Sequence, residues 1–210
     1  MPELFFARIS GLSRDTDISG LSAYRRERLR AVGDEGEYRR SLGAGLLLRR
    51  AVERLYPDIE TPLDLMVGEQ GKPELRGGRP RIGLSHSGEL VLCVLSEGCV
   101  GADLQKPSSY SAATAKRFFT AGECESLLAA GDRDKAFTRL WCLKESYLKW
   151  LGTGLHRSLS SFEVEQRDGA ARIVGDSRCR LWQGELEDYQ YAVCACVDDG
   201  ELTITEIVLP

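Results

Sequence analysis

Apolar and polar residues alternate in some stretches of the chain, as in β-strands, and follow helical spacing in others. Residues 3–9 have the pattern of a first strand, and residues 39–55 have that of a helix, which Pro57 ends. The helix positions predicted to face the core are Leu42, Leu46 and Leu48. Three short strands are predicted next, at 82–85, 90–96 and 100–104, with tight turns at 87–88 and 97–98. The first half therefore combines one long helix with several short strands.

The second half opens with helical spacing and ends in strand-like alternation. Its predicted helices lie at 112–119, 123–130 and 137–151. Its predicted strands lie at 161–166, 171–174, 180–183, 189–197 and 202–209. The predicted class is α+β, with two similar halves that each hold a small antiparallel sheet and a long helix. We place the boundary between residues 1–105 and 106–210 and interpret the halves as a diverged duplication.

Composition and charge exclude several kinds of protein. Of 210 residues, 42% are hydrophobic and 29% are charged, which predicts a packed core. The net charge of −4 argues against general nucleic-acid binding, which needs a basic excess. No signal-peptide pattern and no apolar run near the roughly 18 residues that cross a bilayer are present, so we expect no membrane association. Seven scattered cysteines without a C-x-x-C pair predict buried free thiols in a reducing compartment, the cytoplasm.

An acidic side chain stands near the end of the third inner strand, in the segment VGADLQ at 100–105. Alternation puts Asp103 and Gln105 on one face of this strand, where a site can open. The opposite face carries Val100, Ala102 and Leu104. Gly101 lets another backbone or a ligand approach closely. Two interpretations remain open at this point: Asp103 belongs to a site, or it is solvated where the strand leaves its sheet.

A row of three side chains follows one face of the helix at 137–151. Trp141, Glu145 and Lys149 are spaced four residues apart, so they share that face. The apolar residues around the row are Phe137, Leu140, Leu148 and Leu151. Partial burial of the carboxylate and the amine would favour a function, whereas an exposed pair would only stabilise the helix by about 0.3–0.5 kcal/mol. The spacing fits both a functional pair and an exposed pair that only stabilises the helix. Gly152, in the segment 152–155, suits the left-handed residue just past a helix end.

Several other segments together suggest an anion site. Ser85 and His86 end one inner strand, and Lys72 precedes Pro73 on a constrained loop. Three arginines, Arg25, Arg28 and Arg40, come from the basic segment at 25–30 and the helix that follows it. Each residue alone has an ordinary explanation, as a turn residue or a solvated cation. A phosphate ligand would explain them jointly, because phosphates recruit cations and hydroxyls in convergent geometry.

In their order along the chain, these segments resemble the 4′-phosphopantetheinyl transferases, specifically the monomeric branch with two fused halves that activates peptide and polyketide synthases. The segments are RRERLR at 25–30, RRSL at 39–42, GKP at 71–73, LSHSG at 84–88, VGADLQKP at 100–107, KRFFTAGE at 116–123 and WCLKESYLKWLGTGL at 141–155. The combination of G-x-D with W-x-x-K-E-S-x-x-K is specific to the family. The resemblance spans nearly the whole chain.

The resemblance implies two similar α+β halves with coenzyme A bound in the cleft between them. It also implies a reaction in which the 4′-phosphopantetheine arm of coenzyme A moves to a serine of an apo acyl or peptidyl carrier protein. Adenosine 3′,5′-bisphosphate is released, and Mg²⁺, or Mn²⁺, bridges the pyrophosphate oxygens. Such chemistry depends on charge neutralisation and alignment, which the acidic and basic residues above can supply.

The resemblance also implies roles for individual residues. Asp103 and Glu145 correspond to metal ligands, and Glu145 also to the group that takes the serine proton. Lys149 corresponds to the group that stabilises the transferred phosphate or protonates the leaving group. Contacts to coenzyme A are implied for Arg25, Arg28, Arg40, Ser41, Lys72, Pro73, Ser85 and His86. Many relatives carry a second acid where this chain has Gln105, which can ligate the metal only through a neutral carbonyl oxygen. We therefore expect a weaker metal site, or a water molecule in place of this ligand.

Two other hypotheses stay open. One is a non-catalytic module that binds coenzyme A or a carrier protein, which Gln105 would favour. The other is an unrelated α+β protein whose motifs coincide. A docking patch for the carrier protein, or alternatively part of the core, is expected from Phe118, Phe119, Leu127 and Leu128.

Overall fold

Five α-helices and eleven β-strands make up the part of the chain that the computed structural model describes, residues 1–68, 71–153 and 157–210. The helices are α1 (Ala23–Ala31), α2 (Glu35–Leu55), α3 (Ala112–Phe118), α4 (Ala121–Ala129) and α5 (Arg133–Leu151). The strands are β1 (Glu3–Arg8), β2 (Leu65–Val67), β3 (Pro73–Leu75), β4 (Arg81–Ser87), β5 (Leu90–Ser96), β6 (Val100–Gln105), β7 (Val164–Arg167), β8 (Ala170–Ile173), β9 (Asp176–Leu186), β10 (Tyr189–Cys196) and β11 (Thr203–Glu206). The predicted α+β class is confirmed.

Two main sheets meet along β4 and β6. The first sheet has the order β11-β1-β5-β4, the second has β6-β10-β9-β8-β7, and β2 pairs with β3 alone. The strand pairs are antiparallel, as predicted, except that β11 runs parallel to β1. Each main sheet takes one strand from beyond the predicted boundary, since β6 pairs with β10 and β11 pairs with β1. The division into 1–105 and 106–210, and the duplication, stay predictions.

A long helix packs on each main sheet. Helix α2 begins four residues before its predicted start, because Asp34 caps it by accepting a hydrogen bond from the backbone amide of Glu37. Its core-facing residues Leu42, Leu46 and Leu48 are buried as predicted. Helix α5 begins after the cap residue Asp132 and ends at Gly152, which has the predicted left-handed conformation with φ 69°. The predicted turn residues Gly154 and Leu155 lie outside the described residues.

Close backbone contact joins α5 to β6. A side chain at Gly101 would overlap the carbonyl oxygen of Ser146 and the backbone nitrogen of Trp150. Gly101 therefore has the role that its position suggested, since it lets the helix lie directly on the strand. The other face of β6 is apolar: Val100, Ala102 and Leu104 pack with Leu92 and Val193 in a core between the two sheets. The predicted facing of β6 is confirmed.

The sequence prediction missed two elements. Helix α1 has few apolar positions, and the β2–β3 hairpin has strands of only three residues each. Of the four residues considered for a docking patch or the core, Phe119 and Leu127 are buried, Phe118 is half-buried and Leu128 is exposed. All seven cysteines are free, but only Cys93, Cys142 and Cys194 are buried, whereas Cys99 is exposed. Among the described helices, none has the length and apolar character to span a membrane.

Candidate active site at the junction of the two sheets

Strands β4 and β6 lie side by side where the sheets meet, but they do not form a hydrogen-bonded ladder with each other. Side chains of β4 take the place of that ladder. The Ser85 hydroxyl accepts a hydrogen bond from the backbone amide of Leu104 at 3.1 Å, and the Ser87 hydroxyl accepts one from Lys106 at 3.0 Å. The missing ladder leaves room between the sheets for a cavity.

A cavity of about 390 Å³ opens at this junction, beside α1, α2 and α5. Nine of the twelve predicted site residues line it: Arg25, Arg28, Pro73, Ser85, His86, Asp103, Gln105, Glu145 and Lys149. Trp141, Ala44 and Leu84 complete the lining. Trp141 belongs to the predicted row with Glu145 and Lys149. Ala44 was missed, although it lies one helical turn after Arg40, and so was Leu84, the neighbour of Ser85.

Asp103 is the most strongly bonded group of the cavity. It is only 2% exposed. Its Oδ1 accepts hydrogen bonds from the Ser85 hydroxyl at 2.9 Å and the Lys149 ammonium at 2.6 Å. Its Oδ2 accepts a weaker bond from the Gln105 amide nitrogen at 3.3 Å. The solvated interpretation of Asp103 is therefore excluded, because the carboxylate is buried and held in place by three donors.

Glu145 faces the same cavity but, unlike Asp103, its carboxylate has no bonded partner among the described residues. It is half-buried and makes no hydrogen bond or ion pair with any residue that the structure describes. Burial raises the pKa of its carboxyl group, and the nearby negative charge of Asp103 raises it further, while Lys149 acts in the opposite direction. Glu145 is thus a carboxylate available to accept a proton or to bind a cation.

Cationic groups line the other side of the cavity. Arg25 is only 8% exposed, its Nε has no hydrogen-bond partner, and it pairs with no carboxylate among the described residues. Burial lowers the pKa of Arg25, and the charge of Arg28 acts in the same direction. His86 lies 3.9 Å from a Glu37 oxygen, and burial lowers the pKa of its imidazole. A buried arginine without a counter-ion is costly, so this side of the cavity is suited to an anionic ligand.

Three predicted site residues do not line the cavity. The Lys72 ammonium donates to the backbone carbonyls of Val100 at 2.6 Å and Lys149 at 3.4 Å. Arg40 pairs with Glu37 at 3.1 Å, and Ser41 is buried within α2. Their implied contacts to coenzyme A stay predictions.

The two carboxylates form a donor set that fits a divalent cation. Asp103 and Glu145 present oxygen ligands to one cavity, and the negative charge of Asp103 adds to the burial that raises the pKa of Glu145, an effect that a bound cation would offset. Within the described ranges, no group of three or more His, Cys, Asp or Glu side chains could hold a metal. The third predicted ligand, Gln105, directs its amide nitrogen to Asp103, and its oxygen lies 3.5 Å from the Ser87 hydroxyl. Gln105 would have to turn its amide to offer an oxygen to a cation.

Comparisons with known proteins point to one family. The sequence model of a family described as the 4′-phosphopantetheinyl transferase superfamily matches residues 99–196. The chain is 32% identical over 199 residues to the 4′-phosphopantetheinyl transferase Sfp of Bacillus subtilis strain 168, which covers 90% of this chain and 88% of that protein. A second Bacillus subtilis 4′-phosphopantetheinyl transferase is 30% identical over 200 residues, with 91% and 89% covered. The 4′-phosphopantetheinyl transferase AcpT of Salmonella typhimurium strain LT2 is 37% identical over 172 residues, with 78% and 80% covered.

Proposed function

The chain belongs to the 4′-phosphopantetheinyl transferase superfamily, and from that premise we propose that it moves the 4′-phosphopantetheine group of coenzyme A to a serine of an apo acyl or peptidyl carrier protein. One observation carries the proposal. A single cavity has unpaired buried arginine on one side and two carboxylates with an ammonium on the other. A polyanionic substrate that reacts at one of its phosphates needs cations to bind its charge and carboxylates to hold a metal ion and accept a proton. We also expect a monomeric enzyme in the cytoplasm.

The cationic side of the cavity binds the phosphates of coenzyme A. Arg25 and Arg28 offer guanidinium donors that no carboxylate occupies among the described residues, and His86 adds an imidazole. Burial of Arg25 removes the hydrogen bonds that its guanidinium would make to water, and a bound phosphate would supply acceptors in their place. Pro73 and Leu84 shape the neighbouring wall. The contacts implied for Arg40 and Ser41 would lie farther along α2.

Asp103 and Glu145, on the carboxylate side, would hold a divalent cation, Mg²⁺ or Mn²⁺. When bound, such an ion neutralises pyrophosphate charge and thereby favours departure of the leaving group. Ser85 and Lys149 fix the orientation of the Asp103 carboxylate by donating to its Oδ1. Gln105 contributes at most a neutral oxygen, so the site carries one negative charge fewer than a site with three acids.

Glu145 and Lys149 act on the reacting groups. The carrier serine hydroxyl gives its proton to the Glu145 carboxylate, directly or through one water, as its oxygen bonds to the phosphorus of the pantetheine phosphate. The bond from that phosphorus to the bridging pyrophosphate oxygen breaks, and adenosine 3′,5′-bisphosphate leaves. The Lys149 ammonium stabilises the transferred phosphate. Burial raises the pKa of Glu145 in the metal-free protein, whereas a bound cation would lower it and keep the carboxylate ionised, as a proton acceptor must be.

Intact mass spectrometry of a panel of apo carrier proteins tests the proposal. Purified protein with coenzyme A and MgCl₂ should add the mass of one phosphopantetheine group to the serine-bearing carrier and release one adenosine 3′,5′-bisphosphate per carrier. A carrier whose serine is replaced by alanine is the control and should gain nothing. If coenzyme A binds by calorimetry but no carrier gains mass, the chain is a binding module. If coenzyme A does not bind, the proposed function is wrong.

A further inference from the structure

One edge of β6 bonds to side chains instead of to another strand. We call this edge, which faces β4 and α5, the free edge of β6. Its amides at Leu104 and Lys106 donate to the hydroxyls of Ser85 and Ser87. Its carbonyls at Val100 and Ala102 accept from lysine ammonium groups, at 2.6 Å and 3.0 Å. The backbone groups of an exposed strand edge would normally bond to water or to another strand.

Two lysines therefore donate hydrogen bonds to the backbone of β6, one on either side of Gly101. Lys149 reaches from α5 to the carbonyl of Ala102, and Lys72 reaches from the start of β3 to that of Val100. Gly101 itself touches the backbone of α5. Lys149 also bonds to the Asp103 side chain and lines the cavity, whereas Lys72 does not line it.

Lys72 bonds to both elements that carry the reacting groups. Its second acceptor, at 3.4 Å, is the carbonyl of Lys149 in the last turn of α5. Carbonyls in the last turn of a helix have no partner within the helix, and a cation there also interacts favourably with the helix dipole. One ammonium thus links the strand that carries Asp103 to the end of the helix that carries Glu145 and Lys149.

We propose that Lys72 is a positioning residue that sets the distance between β6 and α5, and with it the separation of Asp103 from Glu145. This inference rests on the proposed function and deepens it. Since both acceptors are backbone carbonyls, the link does not depend on the side chains at those positions. The β2–β3 hairpin, which carries Lys72, is thereby tied to the cavity that it borders through Pro73.

The burial of Lys72 supports a fixed, internal role. Its ammonium is held by two backbone carbonyls, and burial there lowers its pKa to about 8. A lysine placed to bind a mobile phosphate would gain by keeping its ammonium directed into the cavity. The positioning role and the phosphate-ligand role implied by the family resemblance make different kinetic predictions. A phosphate ligand changes the affinity for coenzyme A, while a positioning residue changes turnover.

Three variants separate the two roles. Lys72→Met keeps an unbranched side chain that is one atom shorter and removes the donor, and Lys72→Arg keeps the charge and offers donors for the same carbonyls. Lys135→Met is the matched control, since its ammonium forms only an exposed pair with Glu185. Each variant is assayed for transfer from coenzyme A to an apo carrier protein with MgCl₂, and for coenzyme A binding by calorimetry without carrier. Circular dichroism and thermal unfolding report whether each variant is folded.

The positioning role predicts that Lys72→Met lowers kcat about tenfold and changes the dissociation constant of coenzyme A less than about twofold. Lys72→Arg should recover a large part of kcat, and Lys135→Met should equal the wild type. A fivefold or larger rise in the dissociation constant with unchanged kcat overturns the inference, and so does a Lys72→Met variant with wild-type kinetics. If Lys72→Met does not fold, Lys72→Arg is used to distinguish the two roles. A change mainly in kcat supports the positioning role, and a change mainly in the dissociation constant of coenzyme A contradicts it. Absence of transfer by the wild type would instead overturn the proposed function.

Discussion

Helix α5 carries two lysines five positions apart, and each is bonded to a carboxylate. Lys144 lies 2.7 Å from Glu123, and Lys149 lies 2.6 Å from Asp103. The Lys144 side chain is 0% exposed, whereas that of Lys149 is 34% exposed, toward the cavity. The pairs have the same chemistry and nearly the same length. Their surroundings differ, and this difference separates a structural pair from one that can react.

Both side chains of the Lys144 pair are buried and take part in further hydrogen bonds. The Lys144 ammonium also donates to the carbonyls of Leu159 and Phe162, at 2.9 Å and 2.6 Å. Glu123 accepts hydrogen bonds from the backbone amides of Thr120 and Val164, both at 2.8 Å. With these bonds the pair holds the start of α4, the middle of α5 and the chain before β7 together. These bonds use all three protons of the Lys144 ammonium, so none is left for a substrate.

The Lys149 pair, in contrast, is shared with a cavity. Asp103 divides its bonds among Ser85, Lys149 and Gln105, and the cavity continues past it to Glu145 and the arginines. A ligand can therefore compete for Lys149 without unfolding any element. Access to a cavity, and not the ion pair itself, marks the functional site.

Removal of the carboxylates should have the largest effect on activity. We expect Glu145→Ala and Asp103→Ala each to lower kcat at least about a hundredfold, because proton transfer and cation binding are lost. Glu145→Ala should leave the free energy of unfolding within about 0.5 kcal/mol of wild type, since it removes no bond among the described residues. Transfer assays and urea unfolding measure the two quantities. Glu125→Ala, at an exposed position of α4, is the control. Retained turnover in a carboxylate variant would remove that residue from the mechanism.

Lys144→Met should separate stability from activity. It leaves Glu123 buried without its cation, so the free energy of unfolding should fall by about 3–5 kcal/mol. Because Lys144 does not face the cavity, kcat per folded molecule should stay within about twofold of wild type. Lys149→Met should behave in the opposite way, with a smaller loss of stability and a large loss of transfer, since Asp103 keeps its bonds to Ser85 and Gln105.

The double variant Lys144→Met with Glu123→Leu keeps this prediction testable if the single variant does not fold. Removal of both charges should restore part of the stability, because no unpaired charge remains in the core. Equal loss of transfer in Lys144→Met and Lys149→Met, measured per folded molecule, would contradict the distinction between the two pairs.

Arg25→Met extends the comparison to a buried cation that has no carboxylate partner in the described part of the chain. The substitution removes an uncompensated charge, so the protein should be at least as stable as wild type. The dissociation constant of coenzyme A should rise about tenfold, since a charge-assisted bond to phosphate is lost. Calorimetry measures the affinity, and thermal unfolding measures the stability. Arg30→Met, at an exposed position of the same helix, should change neither quantity. A destabilised Arg25→Met with normal affinity would show that Arg25 is structural.

The sequence predicted the elements that follow a local pattern and the residues that share a face. Period-two alternation placed Asp103 opposite the apolar side of β6, and four-residue spacing placed Glu145 and Lys149 on the cavity side of α5. Properties that depend on distant contacts could not be predicted. No local signal shows that Arg25 lacks a counter-ion, that Lys72 bonds to the backbone, or that Glu123 is the partner of Lys144. Four-residue spacing distinguishes Lys149 from Lys144 within W-x-x-K-E-S-x-x-K, but only the packing shows that Lys144 is buried against Glu123.

The smallest effect should come from Gln105→Glu, which adds a negative charge beside Asp103 on the cavity. The Lys149 pair would then differ further from the buried Lys144 pair. In the wild type, the Gln105 amide donates to Asp103 and so satisfies an oxygen that a cation could use. A carboxylate at this position cannot donate and repels Asp103, so it should bind Mg²⁺ together with Asp103 and Glu145. We expect the Mg²⁺ concentration for half-maximal transfer to stay unchanged or to fall by about threefold, because ligand charge tunes cation affinity.

The control for this prediction adds the same charge away from the cavity, by Gln166→Glu at an exposed position of β7. That variant should have the wild-type Mg²⁺ requirement, so a change seen only with Gln105→Glu is local. The metal-free Gln105→Glu protein should unfold slightly more easily than wild type, since two carboxylates then face each other without a cation. Loss of transfer at saturating Mg²⁺ would show instead that the amide has a role that a carboxylate cannot fill. The bond from Gln105 to Asp103 would then belong to the working site and would not merely stand in for a missing acid.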